Sequence, residues 1–141
     1  MSIREISRAV SLTEAPVSTR IRKLEESGII SHYIAVLNRE KTELPVLVML
    51  LVRLTSASGK LSRAFEKQLA PLSEIEHCYV SSGSWNYVLH VAAASPQQYG
   101  AWLFEHILSL NYIAGAESIY LMREVRSAEA EKPVRAYMRK C

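Results

Sequence analysis

Seven consecutive residues, Val46-Leu47-Val48-Met49-Leu50-Leu51-Val52, carry no polar side chain. A β-strand shows its side chains alternately to two faces, so a strand that is apolar at both alternating positions has to be buried on both. The run is much shorter than the about 20 residues that cross a bilayer, and it therefore belongs to the middle of a globular core. With 141 residues, 49% of them hydrophobic and 22% charged, the chain can build such a core as one ordinary domain or two very small ones. The opening Ser2-Ile3-Arg4-Glu5-Ile6-Ser7-Arg8 is amphipathic from the start and lacks the apolar stretch and cleavage site of a signal peptide, so the expected location is the cytoplasm, with no membrane span.

The hydrophobic period changes near residues 38–45. Before that point Ile3, Ile6 and Val10, then Val17, Ile21 and Leu24, fall at helical spacing and predict helices over 2–10 and 13–27. Only Ser11-Leu12 separates them; Thr13 suits an N-cap, and Gly28 ends the second helix. A β-like run over 29–37, closed by Asn38, links to the second part. After the strand at 46–54, Leu61, Phe65, Leu69 and Leu72 mark the buried face of a helix. Strands over 75–82 and 87–93 follow, with Gly83-Ser84-Trp85 as a hairpin connection. Ser95-Pro96 then opens a helix lined by Tyr99, Leu103, Ile107 and Leu110, and a last strand covers 114–125.

The order β-α-β-β-α-β is that of a ferredoxin-like domain, an antiparallel sheet with both helices on one face. The helices cover one face of the 46–52 strand, so its second face needs another cover. A homodimer stacking sheet on sheet supplies it, the alternative being a tail that folds back.

The net charge is +3, but its distribution says more than its sum. Arg4, Arg8, Arg20, Arg22 and Lys23 stand against Glu5 and Glu14 in the first 24 residues, and five basic residues from Arg126 onward stand against Glu129 and Glu131. Cationic surface at the two ends suits contact with a polyanion, although an ordinary solvated surface uses the same residues.

Two helices joined by a tight turn, the second rich in arginine, have the layout of a helix-turn-helix reader. Val17, Ile21 and Leu24 face the protein, which frees Glu14, Ala15, Ser18, Thr19 and Arg22 to meet base edges; Thr13 opens the helix beside them. Arg20 and Lys23 suit phosphate contacts. The stretch Ser11-Leu12-Thr13-Glu14-Ala15-Pro16-Val17-Ser18-Thr19-Arg20-Ile21-Arg22-Lys23-Leu24-Glu25-Glu26-Ser27-Gly28-Ile29-Ile30 resembles the recognition helix and exit of the leucine-responsive/asparagine-regulator (Lrp/AsnC) family of transcription regulators. The likeness continues through Tyr33-Ile34-Ala35-Val36-Leu37-Asn38 and into the βαββαβ order.

The resemblance implies an α+β chain: a helix-turn-helix DNA-binding domain and linking strand over 1–40, part of a winged helix-turn-helix, then a ferredoxin-like effector-binding and dimerisation domain over 45–126 and a basic tail over 127–141. It implies a sequence-specific DNA-binding regulator, not an enzyme, whose partners are double-stranded DNA, a small effector such as an amino acid, and further copies of itself in a dimer, tetramer or octamer. Family members carry another helix before the one that begins here at Ser2; either the numbered chain begins downstream of the true start, or another element covers Ile3, Ile6, Ile21 and Leu24, the tail Pro133-Val134-Arg135-Ala136-Tyr137-Met138-Arg139-Lys140 being one candidate. A stand-alone amino-acid sensor without DNA binding is the alternative this departure favours.

By resemblance the effector loop is Ser82-Gly83-Ser84-Trp85-Asn86-Tyr87, faced by Ala116 and Ser118 at positions where the family has threonines. Asn86 stands where the family has an aspartate that pairs with an ammonium group, and the chain has no aspartate at all. His32, His77, His90 and His106 lack ligand-spaced partners, so neither metal nor cofactor is expected. Siroheme decarboxylases, which share this two-part fold, are the enzymatic alternative; they need histidines and basic residues collected in the sensing domain, whereas the basic residues here gather outside it. Cys78 in a strand and Cys141 at the end do not suggest a structural disulfide.

Overall fold

The structure, a computed structural model, describes residues 2–35, 37–56 and 58–125. Two compact units divide the chain, one built on Met1–Val36 and the other on Leu37–Glu124.

In the first unit α1 (Ile3–Val10) opens with a capping box in which Ser2 and Glu5 exchange side-chain to backbone hydrogen bonds. The turn to α2 (Glu14–Glu26) is made by Ser11 in the left-handed region, φ 55°. That conformation brings the Cβ of an L-residue too near the next carbonyl. Ser11→Gly is therefore expected to stabilise this unit by about 0.5 kcal/mol, net of glycine's larger backbone entropy, when followed by helix circular dichroism in urea. Thr13 takes the N-cap backbone conformation of α2, but its hydroxyl makes no cap hydrogen bond. Gly28, at φ +72°, turns the chain out of α2 at no steric cost.

Val17 and Leu24 of α2 are buried and Ile21 is half-buried, so the predicted anchoring stripe forms. The serine one turn from the start of α1, Ser7, is also buried, satisfied by donating its hydroxyl to the Ile3 carbonyl at 2.8 Å. Ile3 itself stays 41% exposed. The tail proposed to cover it lies outside the described residues.

The expected strand over 29–37 is not formed in its described residues. Ile29, Tyr33, Ile34 and Leu37 are instead largely exposed, and the Tyr33 hydroxyl donates to Glu25. The physical reason is that β propensity forms a strand only beside another strand that takes up its N–H and C=O groups. Every described strand of the sheet lies within residues 46–120.

The second unit begins with a single 3-10 turn, Arg39–Lys41, and then builds the predicted β-α-β-β-α-β order: β1 (Val46–Leu54), α3 (Gly59–Leu69), β2 (Ile75–Val80), β3 (Tyr87–Ala93), α4 (Pro96–Leu103) and β4 (Ile113–Tyr120). Ser58 and Ser95 cap α3 and α4 through their hydroxyls, and α4 runs on into a π-helical turn, Phe104–Leu108. The strands lie in the order β2-β3-β1-β4, every neighbouring pair antiparallel. That is the split βαβ topology, with β1 in the interior as its apolar run requires.

β4 ends at Tyr120, short of the expected Val125. Tyr120 pairs with Val48 and the Leu121 N–H reaches the Leu47 carbonyl; beyond that point β1 begins after Pro45, which has no N–H to offer a ladder.

One face of the sheet is closed. Val48, Leu50, Val52 and Leu54 of β1 pack with Tyr87, Leu89 and Val91 of β3, Phe65 and Leu69 of α3, and Tyr99, Trp102 and Ile107 of the α4 segment. The other face has no cover among the described residues. Register places Met49 in a row with His90, His77 and Ile119, and Leu51 in a row with Val88, Tyr79 and Glu117. Ile119 is 41% and Tyr79 53% exposed there.

Candidate functional site

The first candidate surface is the outward side of α2. With Val17 and Leu24 anchored, Thr13, Glu14, Ala15, Ser18, Thr19, Arg22 and Lys23 are exposed, while Arg20 is half-buried. These are the residues assigned to DNA from the sequence, and they share the non-anchored side of one helix. Two are engaged locally: the Thr19 hydroxyl donates to the Ala15 carbonyl at 3.1 Å, and Arg22 approaches Glu26 at 3.7 Å, one turn on. An exposed i,i+4 pair of this kind orients a guanidinium without neutralising it for a stronger anion.

The second surface lies at the end of the open sheet face, where β1 finishes and the β2–β3 connection returns. The connection runs from Ser81 to Asn86, closed by a hydrogen bond from the Ser81 N–H to the Asn86 carbonyl at 2.8 Å. Ser82, Gly83 and Ser84 at its tip are exposed. Gly83 has no positive φ, and a side chain added there would meet nothing within 4 Å, so the fold itself makes no demand for glycine at this position. Trp85 crosses back over the sheet: the Arg53 guanidinium sits over its ring, 5.5 Å from the centroid, and both side chains lie against Gly115 of β4. Arg53 and Gly115 are direct partners in the β1–β4 ladder.

Four of the residues expected at the effector site have structural partners instead. The Asn86 side-chain carbonyl accepts the Leu54 N–H at 2.9 Å, filling the gap where the β1–β4 register slips between Arg53 and Leu54. Tyr87 is buried against Phe65, ring centroids 4.8 Å apart, and its hydroxyl donates to Glu66. Ser118 shares a 2.6 Å hydrogen bond with the Tyr99 hydroxyl, and Ala116 packs against the core. All of this follows from the alternation of a strand: Ala116 and Ser118 pair with Val52 and Leu50, whose side chains face the helices, while Gly115 and Glu117 face the open side. The loop therefore meets β4 through Gly115. Arg53 and Gly115 were not singled out in the sequence; the signal available was that Arg53 is the first polar residue to break the apolar run.

A groove of about 380 Å³ lies between α3 and the edge strand β2, lined by Glu66, Leu69, Leu72, Cys78, Val80 and Tyr87 among others. Burial, and then the Glu66 carboxylate, push the Cys78 thiol above its ordinary value, which works against a thiolate nucleophile. His32 contacts Ser31, His106 packs on Trp102, and His77 meets His90 on the open face. Among the described residues no three metal-ligating side chains converge, and no helix is long and apolar enough to cross a membrane.

Residues 1–31 match the family model for a winged helix-turn-helix DNA-binding domain, and residues 47–130, more than half of the chain, match the Lrp/AsnC ligand binding domain. The chain belongs to the Lrp/AsnC family. Among the relatives of this Lrp/AsnC protein, the proline dehydrogenase transcriptional activator of Rhodobacter capsulatus is 30% identical over 87% of this chain and 80% of its own length. The leucine-responsive regulatory protein of Escherichia coli K12 is 28% identical over 88% of this chain and 76% of its own. In three dimensions an AsnC family transcriptional regulator from Agrobacterium tumefaciens superposes with a TM-score of 0.78, 25% identical, covering 96% of this chain and 88% of that one. The fold also matches a Neisseria meningitidis transcriptional regulator in complex with L-Met, TM-score 0.81, 20% identical, over 97% of this chain and 88% of that one. The chain is thus an Lrp/AsnC transcription regulator with a helix-turn-helix head, and the regulatory names of its relatives agree with the expectation that it is not an enzyme.

Proposed function

We propose that this Lrp/AsnC regulator reads its operator with the outward side of α2, acts in the cytoplasm as a homodimer closed over the open sheet face, and responds to a free amino acid at the β2–β3 connection. The head is assigned to residues 1–40, the effector and dimerisation domain to 45–126, and 127–141 to a basic tail. The observation that carries the reading is the division of α2 into an anchored stripe, Val17 and Leu24, and an exposed polar side bearing Ser18, Arg22 and Lys23. Such a helix can enter a major groove without losing its hold on the protein.

A dimer offers two such heads, which suits a pseudo-palindromic operator. Its apolar sheet face, with Met49, Leu51, Val88 and Ile119, is the self-complementary kind of surface that a twofold axis joins. Larger assemblies, tetramer or octamer, would then form through other surfaces of the dimer. The amino-acid effector is supported by the Neisseria meningitidis regulator of the same fold, which is in complex with L-Met. An effector that binds one assembly state more tightly shifts DNA occupancy by that differential affinity.

The test of the reading head is Arg22→Ala. It is expected to weaken binding to the protein's own promoter by about 1–3 kcal/mol, roughly 5- to 150-fold, while binding to unrelated duplex falls much less. Titrations that superpose on the wild type would remove α2 from the role.

A further inference from the structure

We propose that the His77–His90 pair makes closure of the homodimer depend on pH, holding the subunits together near neutrality and releasing them in mild acid. This rests on the reading that a second copy covers the open sheet face, and it names how that contact is regulated.

Placement comes from the ladder. His77 of β2 and His90 of β3 are direct partners, and Met49 and Ile119 continue the same row across β1 and β4. One row of the face thus has an apolar half and an imidazole half. The two rings stand edge to face with centroids 5.6 Å apart, and Tyr79 closes a triangle with them, 6.0 Å from His77 and 6.1 Å from His90. In the single chain His77 is exposed and His90 half-buried, so a charged ring there stays in contact with water.

A second sheet closed over this triangle removes that water from two imidazoles of each subunit. A positive charge on either ring is then costly unless a carboxylate answers it. Among the described strand residues, register places Tyr79, Arg53 and Glu117 on the same face. One guanidinium therefore already matches the one carboxylate, and Glu117 stands on β4, across β1 from the histidines. The carboxylates nearest along β2 are engaged elsewhere, Glu74 with Ser73 and Glu76 with Arg39. No described residue forms an ion pair with His77 or His90. The partner brings the same set, so each proton added to the contact is an unmatched charge.

The dimer thus favours neutral rings, while the separated subunit accepts protons in water. As pH falls through the histidine range, proton uptake draws the equilibrium towards monomers. Neighbouring imidazoles repel when both are charged, so one ring of each pair takes the first proton. Two protons per dimer change the dissociation constant by up to about 100-fold per pH unit. Separated heads then no longer hold two half-sites together.

The experiment is sedimentation velocity on the full-length protein over a concentration series, at about pH 8 and about pH 5.5, either side of the histidine range. The wild-type dimer is expected to weaken by about 10-fold or more at the lower value. Replacing both His77→Gln and His90→Gln should flatten the difference, whereas His32→Gln, outside the sheet, should retain it. Circular dichroism of each variant should match the wild type at both values. A wild-type dimer of equal affinity at both, or a double variant that keeps the whole difference, overturns the switch; Met49→Glu, monomeric at both, then shows that the dimer reading stands. A wild type that is monomeric at both values takes the dimer reading and the switch down together.

Discussion

If the open sheet face joins two subunits as proposed, Met49→Glu is expected to leave the protein monomeric at micromolar concentration while the fold of each chain is unchanged. Met49 lies on the interior strand β1, paired with His90 of β3 and Ile119 of β4, at the middle of the open face. In the single chain it is half-buried rather than buried, so a carboxylate there can still reach water. Closing a second sheet over it would strip that water from two carboxylates at once, one from each subunit. A buried charge without a partner costs about 3–5 kcal/mol, so dimer affinity should fall by more than about 100-fold. Sedimentation velocity across a concentration series measures it. A variant that sediments as the wild type would place the subunit contact elsewhere and leave the open face to another partner.

The second large effect concerns the closed face. Phe65 has no exposed surface; it ties α3 to the sheet through Tyr87, whose own hydroxyl donates back to Glu66 on the same helix. Phe65→Ala removes the largest buried side chain of α3 and leaves a cavity that a rigid sheet cannot collapse to fill. The expected loss is about 3–5 kcal/mol, and the melting temperature of this unit should fall by about 12 °C or more. Urea unfolding of the variant checks it, and a loss under about 1 kcal/mol would mean that α3 repacks freely.

Most of the element order was legible because each signal was local. Ser58 and Ser95 cap helices whose apolar residues then recur at helical spacing, and the 46–52 run admits no place but the interior of a sheet. The same locality explains the failures. Residues 29–37 have strand composition but find no neighbouring strand among the described residues, and the last strand stops opposite Val48, close to the proline that precedes β1. Capping by Thr13 is a matter of one rotamer, which residue type does not fix.

The candidate effector site divides in the same way. Ser82 to Trp85 could be found from their likeness to a known loop, but which side of β4 faces them is a question of register, and a single step exchanges one set of side chains for the other. Ala116 and Ser118 therefore went to the core, while Gly115 and Glu117 came to the surface beside Arg53. What the sequence alone determined was the family, the two-part organisation and the anchored stripe of α2, because periodicity and motif are properties of neighbouring residues. Tertiary structure alone decided which polar groups are spent on holding the fold and which remain for a ligand, because that depends on pairing between segments far apart in the chain, such as Arg53 with Gly115.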